Sequence, residues 1–353
     1  MVWSVNETNA SYQQPYADDS LVVFTLEDRR VVALRPEDGS RLWSQQLPGP
    51  VPGGVFGAFP DKGTIVRSAE FILVSGWDLF ALDRKTGAIR WTFAPSSEFS
   101  ATSSLALAGD AVISTGGAEG YLYSIDLATG AQRWRVDLDE QLFSPVVVGG
   151  VVYLGGRRVV EPPNGLGVGH LWAVDAATGA VLWKTWVGDT ARPLHNGVIA
   201  RPAVSSDLVI AAGLHGTIVA ADRQTGTVRW QRTFGEEGHS AGVALLGNVA
   251  ITATWNGVVR GLSLASGATE WQANVGSAIV RPVTTGADQA FLIPGVIYGF
   301  GADGARLYQF GGRAKELYFS TPATYHQGII FVAANNALAG ARGGGLFALR
   351  IRD

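Results

Sequence analysis

Two Arg-Pro pairs, Arg201-Pro202 and Arg281-Pro282, are the residues best equipped for ligand chemistry in this 353-residue chain. A guanidinium is always charged and presents a planar fork of donors. Two of them converging on one point could clamp a carboxylate or another anion through bidentate bonds. Ser144-Pro145, Thr321-Pro322 and Gln14-Pro15 share the form of a polar residue followed by proline. Proline is tolerated at the first residue of a strand, where its missing N–H lies outside the ladder. If these dipeptides open equivalent strands around an axis, Arg201, Arg281, Ser144 and Thr321 ring the mouth of one channel and are its candidate ligand-binding set. The competing role for the two arginines is to pair with nearby acids and brace the ring.

Other chemistry is poorly supplied. Zero cysteines exclude disulfides, thiolate metal sites and cysteine nucleophiles. Of the five histidines, His170, His195, His215, His239 and His326, no two have the close spacing of a local metal motif. The loop acids Asp61, Glu98, Asp139, Glu140, Asp189, Glu236 and Glu237 are scattered and read as solvated charge. No Ser/His/Asp set or nucleophile elbow is present, so no catalytic residue and no metal site is expected. A net charge of −3 and a pI near 6.0 give no broad pull on nucleic acid or an anionic membrane.

The elements that must position these residues come from a repeat. Leu79-Phe80-Ala81-Leu82-Asp83-Arg84-Lys85-Thr86-Gly87-Ala88-Ile89-Arg90-Trp91 and Leu171-Trp172-Ala173-Val174-Asp175-Ala176-Ala177-Thr178-Gly179-Ala180-Val181-Leu182-Trp183 are nearly the same line. Each reads as strand, turn, strand. A glycine stands four residues before an aromatic in seven copies, at Gly39, Gly87, Gly130, Gly179, Gly226, Gly267 and Gly304, with intervals of 37 to 49 residues. Such a period means a propeller or solenoid. Leu346-Phe347-Ala348-Leu349-Arg350 is a first strand without its partner, and Val2-Trp3-Ser4-Val5 is a partner without its first strand. Joined, they make an eighth unit and leave no open end in the array. The expectation is all-β: one eight-bladed propeller over residues 1–353, of four-stranded antiparallel blades, the last closed by the N-terminal strand.

The repeat aromatics Trp3, Trp43, Trp91, Trp134, Trp183, Trp230, Trp271 and Tyr308 occupy one fixed place on the outer strand. There each can bury a large area against the neighbouring blade and offer its polar hydrogen to a carbonyl. They are read as blade-docking residues. Four strands, A to D from the axis outward, are legible in one copy as Thr102–Leu107, Ala111–Thr115, Tyr121–Ile125 and Ala131–Val136. The A–B and C–D turns are short. The long connections, Leu47–Arg67 and Val187–Ala200 between D and A, Gly156–His170 and Ala334–Gly345 between B and C, emerge on one face. Long loops on a rigid scaffold carry recognition. Trp77, Trp186 and Trp255, which break the repeat pattern, and His195 and His239 are the candidates on that face. They favour a protein or peptide partner.

These residues resemble the PQQ-like β-propeller repeats, with their Ala-(Leu/Val)-Asp-x-x-Thr-Gly-x-x-x-Trp core, over essentially the whole chain. The resemblance implies one of two kinds of protein. Quinoprotein dehydrogenases hold pyrroloquinoline quinone and Ca²⁺ on the axis and use a vicinal cysteine pair, which this chain lacks. Non-catalytic propellers of the BamB type, the outer-membrane assembly lipoproteins, and related sensor domains bind partners. Length and blade count look most like the BamB type, with no cofactor expected and the quinone with Ca²⁺ as the alternative. The resemblance also implies an extracytoplasmic location and membrane anchoring through an N-terminal segment removed ahead of Met1, a cytoplasmic location being the other reading. No apolar run is long enough for a transmembrane helix.

Overall fold

In the computed structural model the described residues are 1–7, 13–49, 65–76, 78–95, 102–116, 120–161, 166–188, 197–235, 238, 241–279, 281–286, 288–311, 319–334 and 345–351. They form eight separate antiparallel sheets arranged as a ring, and every regular element among them is a strand. In seven blades the strands follow chain order, as in blade 3: Thr102–Ala108, Ala111–Gly116, Tyr121–Asp126 and Gln132–Asp137. Blade 8 takes Thr324–His326, Ile329–Ala334 and Gly345–Arg350 from the end of the chain, and its outer strand, Trp3–Asn6, from the beginning. The closing register runs from Trp3 opposite Ala348 to Asn6 opposite Gly345.

The middle strands are buried on both faces because each blade packs against two neighbours. They are therefore continuous apolar runs, such as Leu79–Asp83 and Leu208–Ala212, and show no alternation. Strand D touches a neighbour on one side only and alternates, as in Arg41–Gln46. Core clusters sit between blades. Val23, Val31 and Ala33 of blade 1 pack with Ile72, Val74 and Phe80 of blade 2.

The C–D turns repeat one device. Asp126 Oδ1 accepts the N–H of Ala128 at 3.1 Å, the N–H of Thr129 at 2.9 Å and the Thr129 hydroxyl at 2.8 Å. Asp83, Asp175 and Asp222 do the same in their blades. Gly130 then takes φ 75°, a conformation that disfavours a side chain.

The same glycine receives the tryptophan of the preceding blade. The rings of Trp3, Trp43, Trp91, Trp134, Trp183, Trp230 and Trp271 lie on Gly39, Gly87, Gly130, Gly179, Gly226, Gly267 and Gly304. Their indole N–H groups donate to the carbonyls of Pro36, Arg84, Leu127, Ala176, Arg223, Leu264 and Ala302 at 2.6 to 3.2 Å. Tyr308 stands at the eighth position but differs: its hydroxyl is buried and has no hydrogen-bond partner among the described residues.

Two local expectations need correction. Ser144-Pro145 does not open strand A of blade 4. That strand begins at Gln141, and the ladder shifts register between Phe143 and Val146. The bulge places Ser144 at φ 46°, and strand A of blade 3 shifts in the same way between Thr102 and Leu105, where no proline stands. The span Gly156–His170 is not simply a loop either. Strand B of blade 4 runs on through Val151–Glu161 and folds back as Leu166–Val168, an added hairpin on the face of the D–A and B–C connections.

Candidate functional site

The axis carries a cavity of about 410 Å³, lined mostly by apolar A-strand residues such as Pro15, Ala17, Val66 and Pro145, with Arg67, Arg201, Tyr16, Gln14 and Thr324 as its polar groups. Arg201 is exposed and lines it; Arg281 is half-buried and is not among the lining residues. The two arginines paired by sequence are therefore not brought together in this cavity, where Arg67 is the second guanidinium. Ser144 and Thr321 are fully buried, and the Thr321 hydroxyl accepts the N–H of Ala333 at 2.9 Å.

Arg67 is tied down. Its Nε lies 3.1 Å from Asp18 Oδ2, and the Tyr16 hydroxyl donates to the same oxygen at 3.1 Å. Burial opposes ionisation of Asp18. Hydrogen bonds from Ser20 and Leu21 and the Arg67 charge outweigh it and leave its carboxyl below the ordinary range. Burial and the neighbouring Asp18 charge together push the Tyr16 phenol up.

A calcium-bound quinone does not fit these residues. Ca²⁺ takes six to eight oxygens, several from carboxylates. Among the described residues no carboxylate lines the cavity, and no three His, Asp or Glu side chains converge.

The face of the D–A and B–C connections is better furnished. Trp255 is 44% exposed, yet its ring lies against Gly238 and its backbone N–H donates to the Gly238 carbonyl at 3.0 Å. A large aromatic is thus presented to solvent in a fixed pose. Trp186 is half-buried at the end of strand D of blade 4, opposite His170. Trp77, His195 and His239 lie outside the described residues.

The sequence reading missed one cluster on this face. Glu140 is only 6% exposed. Its Oε1 lies 2.5 Å from His170 Nδ1, and its Oε2 accepts the indole N–H of Trp172 at 3.0 Å. Gly156 leaves room for this carboxylate where a Cβ would displace it. The ammonium of Lys184 sits 5.2 Å over the Trp172 ring. Together these groups anchor the base of the added hairpin. Glu140 and His170 are thirty residues apart in the chain, and only the strand register brings them together. The one sequence signal was an acid placed directly before strand A of the same blade that carries the histidine.

Eight four-stranded blades, Asp-x-x-Thr-Gly turns and interlocked tryptophans define a β-propeller of PQQ-like repeats. The chain belongs to the family described as outer membrane protein assembly factor BamB, whose model matches residues 1–94, 75–240 and 214–353. It is similar to the outer membrane protein assembly factor BamB of Moranella endobia, with 24% identity over 235 residues, 63% of this chain and 57% of that protein. The match thus spans a little over half of that relative's length. Among solved structures, BamB from Moraxella catarrhalis superposes with a TM-score of 0.64 at 20% identity, covering 92% of this chain and 88% of the other. The quinohemoprotein alcohol dehydrogenase from Comamonas testosteroni superposes with a TM-score of 0.73 at 12% identity, covering 99% and 77%. Such distant likenesses speak for the shared fold alone.

Proposed function

We propose that this chain is a non-catalytic scaffold of outer-membrane protein assembly. It acts outside the cytoplasm and binds a polypeptide partner on the face of the D–A and B–C connections. The observation that carries the reading is Trp255, a large aromatic held rigid by Gly238 while 44% exposed. Tryptophan is among the residues that most often anchor protein interfaces, and a preset ring loses little freedom on binding. Family membership supplies the setting. The test is a photo-crosslinking residue at position 255 in cells, with Leu182, 51% exposed on an outer strand, as control. An adduct with an outer-membrane assembly component from position 255 alone supports the reading. No adduct, or equal adducts from both positions, removes it.

The second reading is a small anionic ligand in the axial cavity, supported by Arg67 and Arg201 on its lining. Titration with pyrroloquinoline quinone, with and without Ca²⁺, followed by tryptophan quenching, tests it in the form closest to the dehydrogenases. Saturable, Ca²⁺-dependent quenching would favour it over the scaffold. Absence of quenching would leave the axis without a quinone role.

A further inference from the structure

Between blades 3 and 4, on the side of the A–B and C–D turns, lies a cavity of about 640 Å³. Leu107 of blade 3 and Val147 and Val151 of blade 4 give it apolar walls. Gly149 and Gly150, the A–B turn of blade 4, put no side chain across its mouth. Its polar side chains are Ser124, Asp110, Arg133 and Asp175.

Ser124 is out of place by the rule of the other blades. It stands on strand C opposite the docking tryptophan, Trp134, and faces blade 4 with it. The same position is Ala33, Ala81, Ala173, Ala220 and Ala348 in five blades and Gly261 and Gly299 in two. Only blade 3 puts a hydroxyl there. Ser124 is 1% exposed, and its Oγ has no hydrogen-bond partner among the described residues. A buried hydroxyl left unpaired destabilises the fold, whereas the alanine of its neighbours would not.

The rim carries uncompensated negative charge. Arg133 is already shared by Asp110 and Asp126, at 2.7 Å from each. Asp175 Oδ1 accepts the N–H of Ala177 and the N–H and hydroxyl of Thr178. Its Oδ2 has no partner among the described residues. In blades 2, 3 and 5 the equivalent oxygen pairs with Arg90, Arg133 or Arg229 at 2.6 to 2.7 Å. Blade 4 has Leu182 in place of that arginine, 51% exposed. Arg223, beside Gly149, already donates to Tyr153 and to the carbonyls of Ser205 and Ser206. Three carboxylates thus share one guanidinium around this mouth.

We propose that the cavity binds a small amine with a second polar group on a short carbon chain, the class of the amino alcohols. The ammonium pairs with Asp175 at the half-exposed rim, the chain lies along Leu107 and Val147, and the far hydroxyl bonds to Ser124 on the floor. A lysine of a partner protein would carry its charge past the carboxylates to a floor that offers only a hydroxyl, so the ligand is a free small molecule. The site shares Leu107 and Val147 with the axial cavity but none of its polar groups. It rests on neither reading given above.

The whole protein is titrated calorimetrically with terminal amino alcohols, from aminobutanol to aminohexanol, and with the alkylamine and alkanol of matching length. One amino alcohol should saturate a single site at about millimolar concentration, about threefold or more tighter than either control. Ser124→Ala, which takes the residue of five other blades, should erase the advantage over the alkylamine while stability holds or rises. Asp175→Asn keeps an oxygen for the turn and should erase the advantage over the alkanol. Leu182→Arg should do the same with Asp175 in place, by supplying the cation from within. No saturation by any amino alcohol, an advantage over the alkylamine that survives Ser124→Ala, or one over the alkanol that survives both Asp175→Asn and Leu182→Arg would overturn the proposal.

Discussion

The ring of Trp91 rests on Gly130 of the next blade, so close that a Cβ at Gly130 would lie 2.8 Å from the indole carbons. The tryptophan and the turn are therefore one joint. The turn needs glycine for its φ of 75°, and the ring needs it for space. Gly130→Ala should cost about 1–3 kcal/mol from backbone strain and crowding together. Urea unfolding of the variant measures it, and an unchanged midpoint would mean the ring can retreat.

Trp91→Phe keeps most of the apolar area but loses the N–H that reaches the Leu127 carbonyl at 3.0 Å. A loss of about 1–2 kcal/mol is expected from the smaller ring and the orphaned carbonyl. Tyr308→Phe is the contrasting case. It removes a buried hydroxyl that has no partner among the described residues, so stability should hold or rise. Parallel thermal melts of the two variants compare them.

Acid should loosen the C–D turns. Hydrogen bonds from Arg133 first, then from Thr129, hold the Asp126 carboxyl at about 2, against an ordinary value of 3.8. Arg90 and Arg229 hold Asp83 and Asp222 low in the same way. A carboxyl with a depressed pKa stabilises the fold fully above its unfolded value. That stabilisation is lost as pH falls toward the folded value, because the unfolded chain takes up the proton first. Stability should therefore fall between about pH 4 and pH 2, and Asp126→Asn should flatten part of that slope. Urea midpoints measured across this range provide the check.

Glu140→Ala would strand the buried indole N–H of Trp172 and free His170. We expect about 1–3 kcal/mol of destabilisation. Faster amide exchange should be concentrated in strand B of blade 4 beyond Gly156. Uniform loss of protection around the ring would instead mean that Glu140 supports the whole propeller.

The ring was readable from sequence because its rules are local. A glycine four residues before an aromatic and, in four of the seven copies, an aspartate four before the glycine fix a turn and the next strand within thirteen residues. The unpaired Val2–Val5 and Leu346–Arg350 segments likewise disclosed the closing blade. The site was less legible because its contacts are not local. Arg201 and Arg281 have the same dipeptide form, yet only Arg201 reaches the cavity, beside Arg67, which no motif distinguished. Ser144 looked like a strand opening, whereas the strand had begun three residues earlier and bulged at the proline. Glu140 read as a loop charge because burial by His170 and Trp172 depends on a register that one sequence does not print.

The closing blade also sets an order of assembly. Trp3–Asn6 pairs with Gly345–Arg350, so this outer strand has no sheet to join until Gly345–Arg350 has formed. Bringing such distant segments together carries the loop-closure cost of nearly the entire chain. Blades 1 to 7 can assemble each on the one before, whereas the clasp is fastened only once Gly345–Arg350 is available. Until then the outer face of blade 1 at Gly39 lacks the Trp3 ring that covers it in the closed propeller.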